Sequence, residues 1–316
     1  MVGNPLFFGR KYRLTLAIPG QEEKVFEVEE GRPAMDIKFD VTYARGQTAR
    51  EGTVSILGLG HETIHNFISQ AAITRGEAMQ RQIRVKLEAG YFSAAGMIEI
   101  LDGFAWYATV TSPPQMWLNI KVAEYNVLGG RKVNFGDMQD LTMAGILTHV
   151  TDRFTEAEGV KFCWEDKTED YVVKNSKETQ KSSLVSKGAL SLSETIQVLN
   201  QDLSDKVQCT LRSSRIDGTR ILEVLDKDKK KSLKEPSVNV DKDNGLLSVT
   251  GIDVVNGCVT TFLDGRHGDE LSRLKLTSEL NQQANGTYYI IKKQYIGHFM
   301  GQEWYTRYFC SAREND

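Results

Sequence analysis

His61, Glu62 and His65, within "GLGHETIHNF" at 58–67, spell HExxH. On a helix the two histidines stand one turn apart on one face. There they can hold zinc while the glutamate serves as general base of a hydrolysis. Such a centre needs a third protein ligand and a fourth position open to water. The extended HExxHxxGxxH form is not met, because Ile68 and Ala71 occupy its last two positions. A glutamate as third ligand leaves Glu77 or Glu88, and Glu88 falls on the polar face of an expected strand.

Other chemistry-bearing residues are sparse. His298 and Glu303 in "GHFMGQEW" could form an acid–base pair, but a turn between two strands accounts for the same residues. Cys163, Cys209, Cys258 and Cys310 are widely spaced with no CxxC, which reads as buried free thiols in a reducing compartment. The run Asp226–Lys234, "DKDKKKSLK", could meet phosphates and reads more plainly as a solvated loop. Asn285–Thr287 is a glycosylation sequon without a secretion signal, and "GLG" lacks the third glycine of a dinucleotide fingerprint. No Ser-His-Asp or Cys-His set assembles from neighbouring motifs.

The elements that would position these residues are mostly strands. "KYRLTLAI", "IKFDVTY", "RVKLEAGY" and "MWLNIKV" alternate apolar and polar residues, so 1 to about 127 reads as antiparallel β. The HExxH stretch is the helical interruption, about 61–72, with Ile64, Phe67 and Ile68 as its apolar face and Glu62 in its first turn. In the middle, Met143, Leu147, Val150 and Phe154 behind Asp140 as N-cap predict a helix near 141–155. Ser191 and Glu194 form a capping box ahead of Ile196, Leu199 and Leu203. "VQCTLR" and "RILEVLD" around Asp217–Gly218 predict a hairpin. The Lys- and Ser-rich stretch 165–190 reads as a long exposed loop or arm. β character returns after about 236.

Composition bounds the whole. With 316 residues, 40% hydrophobic and 26% charged, the chain can bury one large core or two to three ordinary ones. A formal net charge of −3 supplies no basic excess for nucleic acid. No signal segment or run of about 18 apolar residues is present, so we expect a chain made in the cytoplasm without a membrane anchor.

The last part repeats features of the first. "VKL" at 85–87 and "LKL" at 274–276 are each followed by a glycine, Gly96 or Gly286, opening a long hairpin. Both hairpins end in a tryptophan-bearing strand, "QMWLNIKVAEY" or "QEWYTRYFC". Upstream, "EGTVSI" is matched to "NGLLSV".

The N-terminal order "FFGRKYRLTL", "IKFDVTYARG", "REGTVSILGL", "HETI", "IRVKLEAGY" and "EILDGFAWYATVT" resembles the first domain of bacteriophage central baseplate hub proteins. "DNGLLSVTGIDVV" and "NGTYYIIKKQYIGHFMGQEWYTRYFC" resemble the second hub domain. "HETI" departs from the more usual Ser/Pro-Glu-Thr helix start, and 165–190 has no counterpart in the family pattern.

The resemblance implies a mainly β chain with two similar tube-type antiparallel β-barrel or sandwich domains, 1–127 and 236–316. A smaller α+β domain at 128–235 separates them. It implies a structural virion protein of the tail baseplate, without catalytic, cofactor or metal residues. The implied assembly is a homotrimer that joins a hexameric tail tube to a threefold central spike. Its implied partners are the tail tube protein, the spike protein, other baseplate proteins and the tape measure protein, with DNA only in transit through the channel. Two duplicated domains in three chains present six similar surfaces, a physical use for the repeat. The alternatives are a zinc-dependent hydrolase using "HETIH" and a hexameric distal tail protein.

Overall fold

The computed structural model describes residues 9–44, 50–73, 83–93, 96–124, 131–166, 173, 176–180, 182–203, 207–213, 219–226, 238–250, 256–263 and 273–313. The chain divides into two compact units, one of 1–44, 50–128 and 235–316, the other of 45–49 and 129–234.

The first unit begins with β1 (Arg10–Ala17), β2 (Lys24–Glu27), β3 (Ile37–Ala44) and β4 (Glu51–Leu57). Helix α1 (His61–Ile73) follows, then β5 (Arg84–Tyr91), β6 (Met97–Val110) and β7 (Trp117–Ala123). Period-two alternation decides which side each strand buries: Tyr12, Leu14 and Leu16 of β1 are buried, as are Ile37, Phe39, Val41 and Tyr43 of β3. At the ends of β4 and β7, Arg50 Nε lies 3.1 Å from Glu124 Oε1, and both side chains are almost wholly buried. Arg50 also donates from Nη1 to the Ile100 carbonyl at 3.2 Å, and its backbone N–H donates to Glu124 Oε2.

The second unit holds β8 (Val133–Asn134), α2 (Met143–Glu158), β9 (Phe162–Asp166), β10 (Ala189–Leu190), α3 (Leu192–Asp202), β11 (Val207–Ser213) and β12 (Arg220–Asp226). β11 and β12 pair antiparallel and β12 pairs parallel with β9, while β8 pairs with β10. The α3 capping box forms as its residues predict, with Ser191 and Glu194 each accepting the other's backbone N–H. The cap of α2 lies two residues later than expected. Thr142 accepts from Gly145 N, and Asp140 instead accepts from Thr142 N one step upstream. The turn at Asp217–Gly218 lies outside the described residues.

Within 165–190, residues 177–179 and 185–189 are exposed, as expected of a loop, but the stretch is pinned at a few points. Val173 and Leu184 are fully buried, and Ser183 donates from its N–H and hydroxyl to Asp202 on α3. A lone leucine in "KSSLVSK" is too sparse to give a periodic signal, yet one buried leucine suffices to anchor a turn.

The chain then returns to the first unit with β13 (Val238–Val240), β14 (Leu246–Thr250), β15 (Asn256–Phe262), β16 (Arg273–Leu276), β17 (Gly286–His298) and β18 (Trp304–Arg313). Among the described residues this unit is a 13-stranded sheet whose main path runs β14-β15-β18-β17-β3-β4-β7-β6-β5-β1-β2. Strands β13 and β16 attach through β17.

One six-strand order occurs twice in that sheet, β3-β4-β7-β6-β5-β1 and β14-β15-β18-β17-β16-β13. The registers repeat as well. Arg84–Leu87 pairs with Phe104–Leu101, and Arg273–Leu276 pairs with Tyr289–Gly286. A bulge follows at the same offset in each copy, between Ala105 and Tyr107 and between Ile290 and Lys292. With the bulges aligned, "EGTVSIL" of β4 corresponds to "NGCVTTF" of β15. The sequence match of "EGTVSI" to "NGLLSV" was thus one strand out, because Asn-Gly occurs at both 244 and 256. The copies differ in their last strand: β1 pairs antiparallel with β5, whereas β13 pairs parallel with β16.

The two copies join where β17 pairs with β3, from Lys292–Ala44 to His298–Lys38. The core follows the joint. Tyr295 and Trp304 from the second copy complete the cluster built on Leu14, Phe39, Val54, Leu87 and Ile120. Tyr43 from the first copy packs with Val259, Leu274, Ile290 and Tyr308.

Candidate functional site

Helix α1 places the HExxH residues. Ile64 and Phe67 are buried one turn apart, Ile68 packs beside them, and the helix lies against β6. That anchoring turns His61, Glu62 and His65 outward, and all three are exposed. Glu88 on β5 is instead held between Arg13 and Lys86, each at 3.7 Å. Glu77 lies outside the described residues. Among the described residues, no group of three His, Cys, Asp or Glu gathers at a metal-binding spacing. The histidines share a face, as the spacing predicts, but that face looks to solvent with no third ligand among the described residues.

His298 ends β17 and is better supported. Its carboxylate partner is not Glu303, whose backbone carbonyl accepts from His298 N at 2.7 Å. The partner is Asp36, whose Oδ2 lies 2.9 Å from His298 Nε2 and whose Oδ1 accepts from Met300 N at 3.0 Å. Asp36 is mostly buried and precedes β3, 262 residues away in sequence.

Arg10 clamps the same turn from β1, donating to the carbonyls of His298 and Gln302 at 3.1 Å each and to that of Gly301. Its guanidinium stands over the Trp304 ring, 5.5 Å from the centroid, and Trp304 Nε1 donates to Gly90 O. Burial pulls the Arg10 guanidinium below its ordinary value, with Tyr91 acting in the opposite sense. Burial first, and the Asp36 charge second, push the Tyr12 phenol up to about 12, while its hydroxyl donates to Met35 O.

The glycines here are sites of close approach. A Cβ on Gly301 would sit 2.1 Å from His298 Nδ1, and one on Gly297 would sit 2.2 Å from Phe39 Cζ. The other ring beside His298 is Trp117, at 6.2 Å. The arrangement holds a tight turn against two distant strands and presents Met300, 64% exposed, at its tip.

The remaining candidates have structural uses. Asn285 Oδ1 accepts from Ser278 N at 2.6 Å, so the sequon side chain staples a loop. None of the four cysteines is in a disulfide; Cys209 and Cys310 are buried, while Cys163 and Cys258 are only half-buried. Burial pushes the Cys209 and Cys310 thiols up to about 12. Only Asp226 of the run to Lys234 falls in a described segment. In the second unit an open cleft of about 490 Å³ is lined by Lys132, Asn134, Asp137, Arg153 and Glu156. Its charges neutralise one another, Arg153 pairing with Asp137 and with Glu156.

A helix able to cross a membrane is absent among the described residues. No protein of curated function matches the chain in sequence. In fold it is similar to a tail protein from Neisseria meningitidis MC58, with a TM-score of 0.55 at 9% identity, over 96% of this chain and 97% of that one. A 43 kDa tail protein of prophage MuSo2 from Shewanella oneidensis gives 0.53 at 8%, over 96% and 99%. The Francisella PdpA–VgrG complex, lidded, gives 0.51 at 8%, over 99% of this chain and 54% of that one. These likenesses establish the fold. A family model, Baseplate hub gp41, matches residues 13–310. The chain therefore belongs to the baseplate hub gp41 family and is a structural protein of the phage tail baseplate.

Proposed function

We propose that the protein is the trimeric hub of that baseplate, joining a hexameric tail tube to a threefold spike. Its central channel passes the tape measure protein and then DNA. The observation that carries this reading is the six-strand order present twice in one chain with matched registers and bulges. Three chains then offer six similar lobes, so a threefold object can seat against a sixfold one. The hub acts by shape and strand contacts, without a catalytic residue or cofactor, and is made in the host cytoplasm. Its assembly partners are the tail tube, spike and surrounding baseplate proteins.

Native mass and negative-stain class averages test this reading. Three times the 35.5 kDa chain mass, with six lobes in projection, supports the hub. Six chains per ring would instead support a distal tail ring, and a monomer would overturn both. Near one zinc per chain, lost in His65→Ala, would overturn the non-enzymatic reading of α1.

A further inference from the structure

The two copies of the six-strand order are joined by one edge contact, which leaves one equivalent edge on each copy that no other described strand pairs with. β17 carries β18 on one edge; on the other it carries β16 and then β3. β6, its equivalent, carries β7 on one edge and β5 on the other, but no described strand follows β5 along Ala108–Val110. At the opposite end of the path lies β14, the equivalent of β3, with no described strand on its outer edge and Leu247 45% exposed.

The leftover edges are thus the same kind of pair that already joins within the chain. We propose that β14 of one copy adds antiparallel to the Ala108–Val110 edge of β6 in the next copy, repeating the β17–β3 joint between chains. The pair is head to tail, so each added chain offers the same edge again, and the series closes as a ring where the rotation per chain divides a full turn. Closure at three rests on the hub reading above; the edge pairing itself does not.

The repeat also fixes the register. Aligning the bulges makes Tyr107 equivalent to Lys292 and Thr111 to Ile296, and aligning Gly52 with Gly257 makes Asp40 equivalent to Thr250. Ile296 faces Asp40 across the internal joint, so Thr111 faces Thr250 of the next copy. His298 N donates to β18 and Phe299 N to Ile37 O, which makes Ile296–Asp40 a non-hydrogen-bonded position. Cα atoms there lie about 4.5 Å apart, within disulfide reach. Thr111 N donates to Trp117 O on β7, so by alternation the main-chain groups of Ala108 and Val110 point away from β7, toward the open edge. Both threonines are exposed.

The test places Thr111→Cys on one full-length chain and Thr250→Cys on another. Both chains carry Cys258→Ser, because Cys258 is the cross-strand partner of Thr250. After mixing and mild oxidation, a covalent pair of the two chains is the expected result, and the doubly substituted chain should give a closed series ending at the ring. A ring of trimer mass without the cross-link overturns the pairing and leaves the hub reading standing. The cross-link in a ring of another number keeps the pairing and overturns the trimer. A monomer without cross-link overturns both. Hydrogen exchange on the unsubstituted protein gives an independent reading: assembly should slow the Ala108 and Val110 amides by about tenfold or more. Unchanged exchange in an assembled ring would overturn the proposal even if the cysteine variants fail to fold.

Discussion

Arg10 holds the 298–303 turn through main-chain carbonyls, so removing it leaves acceptors without their donor as well as removing a charge. Arg10→Ala should cost about 2–3 kcal/mol in urea unfolding, as expected for charge-assisted hydrogen bonds. Arg10→Lys should recover only part of that, because an ammonium cannot reproduce the planar fork that reaches several carbonyls at once. Equal stability of Lys and Arg at this position would show that a point charge is enough. The cysteines give a pH-dependent outcome. Cys209 and Cys310, raised to about 12 by burial, stay protonated at pH 8 and should resist a thiol reagent in the folded protein, while half-buried Cys163 and Cys258 react. Because the folded value is the higher one, the stability these thiols contribute is fully present below their ordinary value and is lost as pH rises toward about 12. What was legible at this scale was local. The Ser191–Glu194 box lies within four consecutive residues and was readable, whereas the Asp36–His298 contact crosses 262 residues and a fold that no spacing announces.

Helix α1 separates the motif from the helix that carries it. Its apolar face is what the fold uses, so Phe67→Ala should destabilise by about 3–5 kcal/mol as a buried aromatic truncation. His61→Ala and His65→Ala, on the exposed face, should each stay within about 0.5 kcal/mol. Thermal unfolding of the three variants decides it, and a loss of several degrees in either histidine variant would give the motif a role beyond decorating a solvent face. The turn at 182–187 runs the other way, since a polar stretch conceals one structural residue. Leu184→Ala should cost about 2–4 kcal/mol by cavity formation and expose the segment to limited proteolysis. Strands were readable because alternation is a strong signal over seven or eight residues. This turn was not, because one leucine among serines and lysines has no period.

The β17–β3 joint makes the first and last thirds of the chain thermodynamically inseparable. Tyr295 and Trp304 come from the end of the chain yet lie in the cluster with Leu14, Phe39 and Val54, while Tyr43 crosses in the other direction to pack with Tyr308 and Cys310. The order of strands along the sheet was beyond the sequence, because hydrophobic alternation says which face a strand buries and not which neighbour it takes. The repeat was readable in outline, as "RVKL" and "RLKL" sit at equivalent registers. The consequence is testable by dissection. A fragment of residues 1–127 exposes the β3 edge that β17 covers and lacks two large core side chains, so it should be aggregation-prone rather than an independent cooperative domain. Co-expression with residues 236–316 should restore a soluble complex through that edge. A soluble 1–127 fragment with a sharp unfolding transition of its own would show that the joint is an accessory contact and not part of the core.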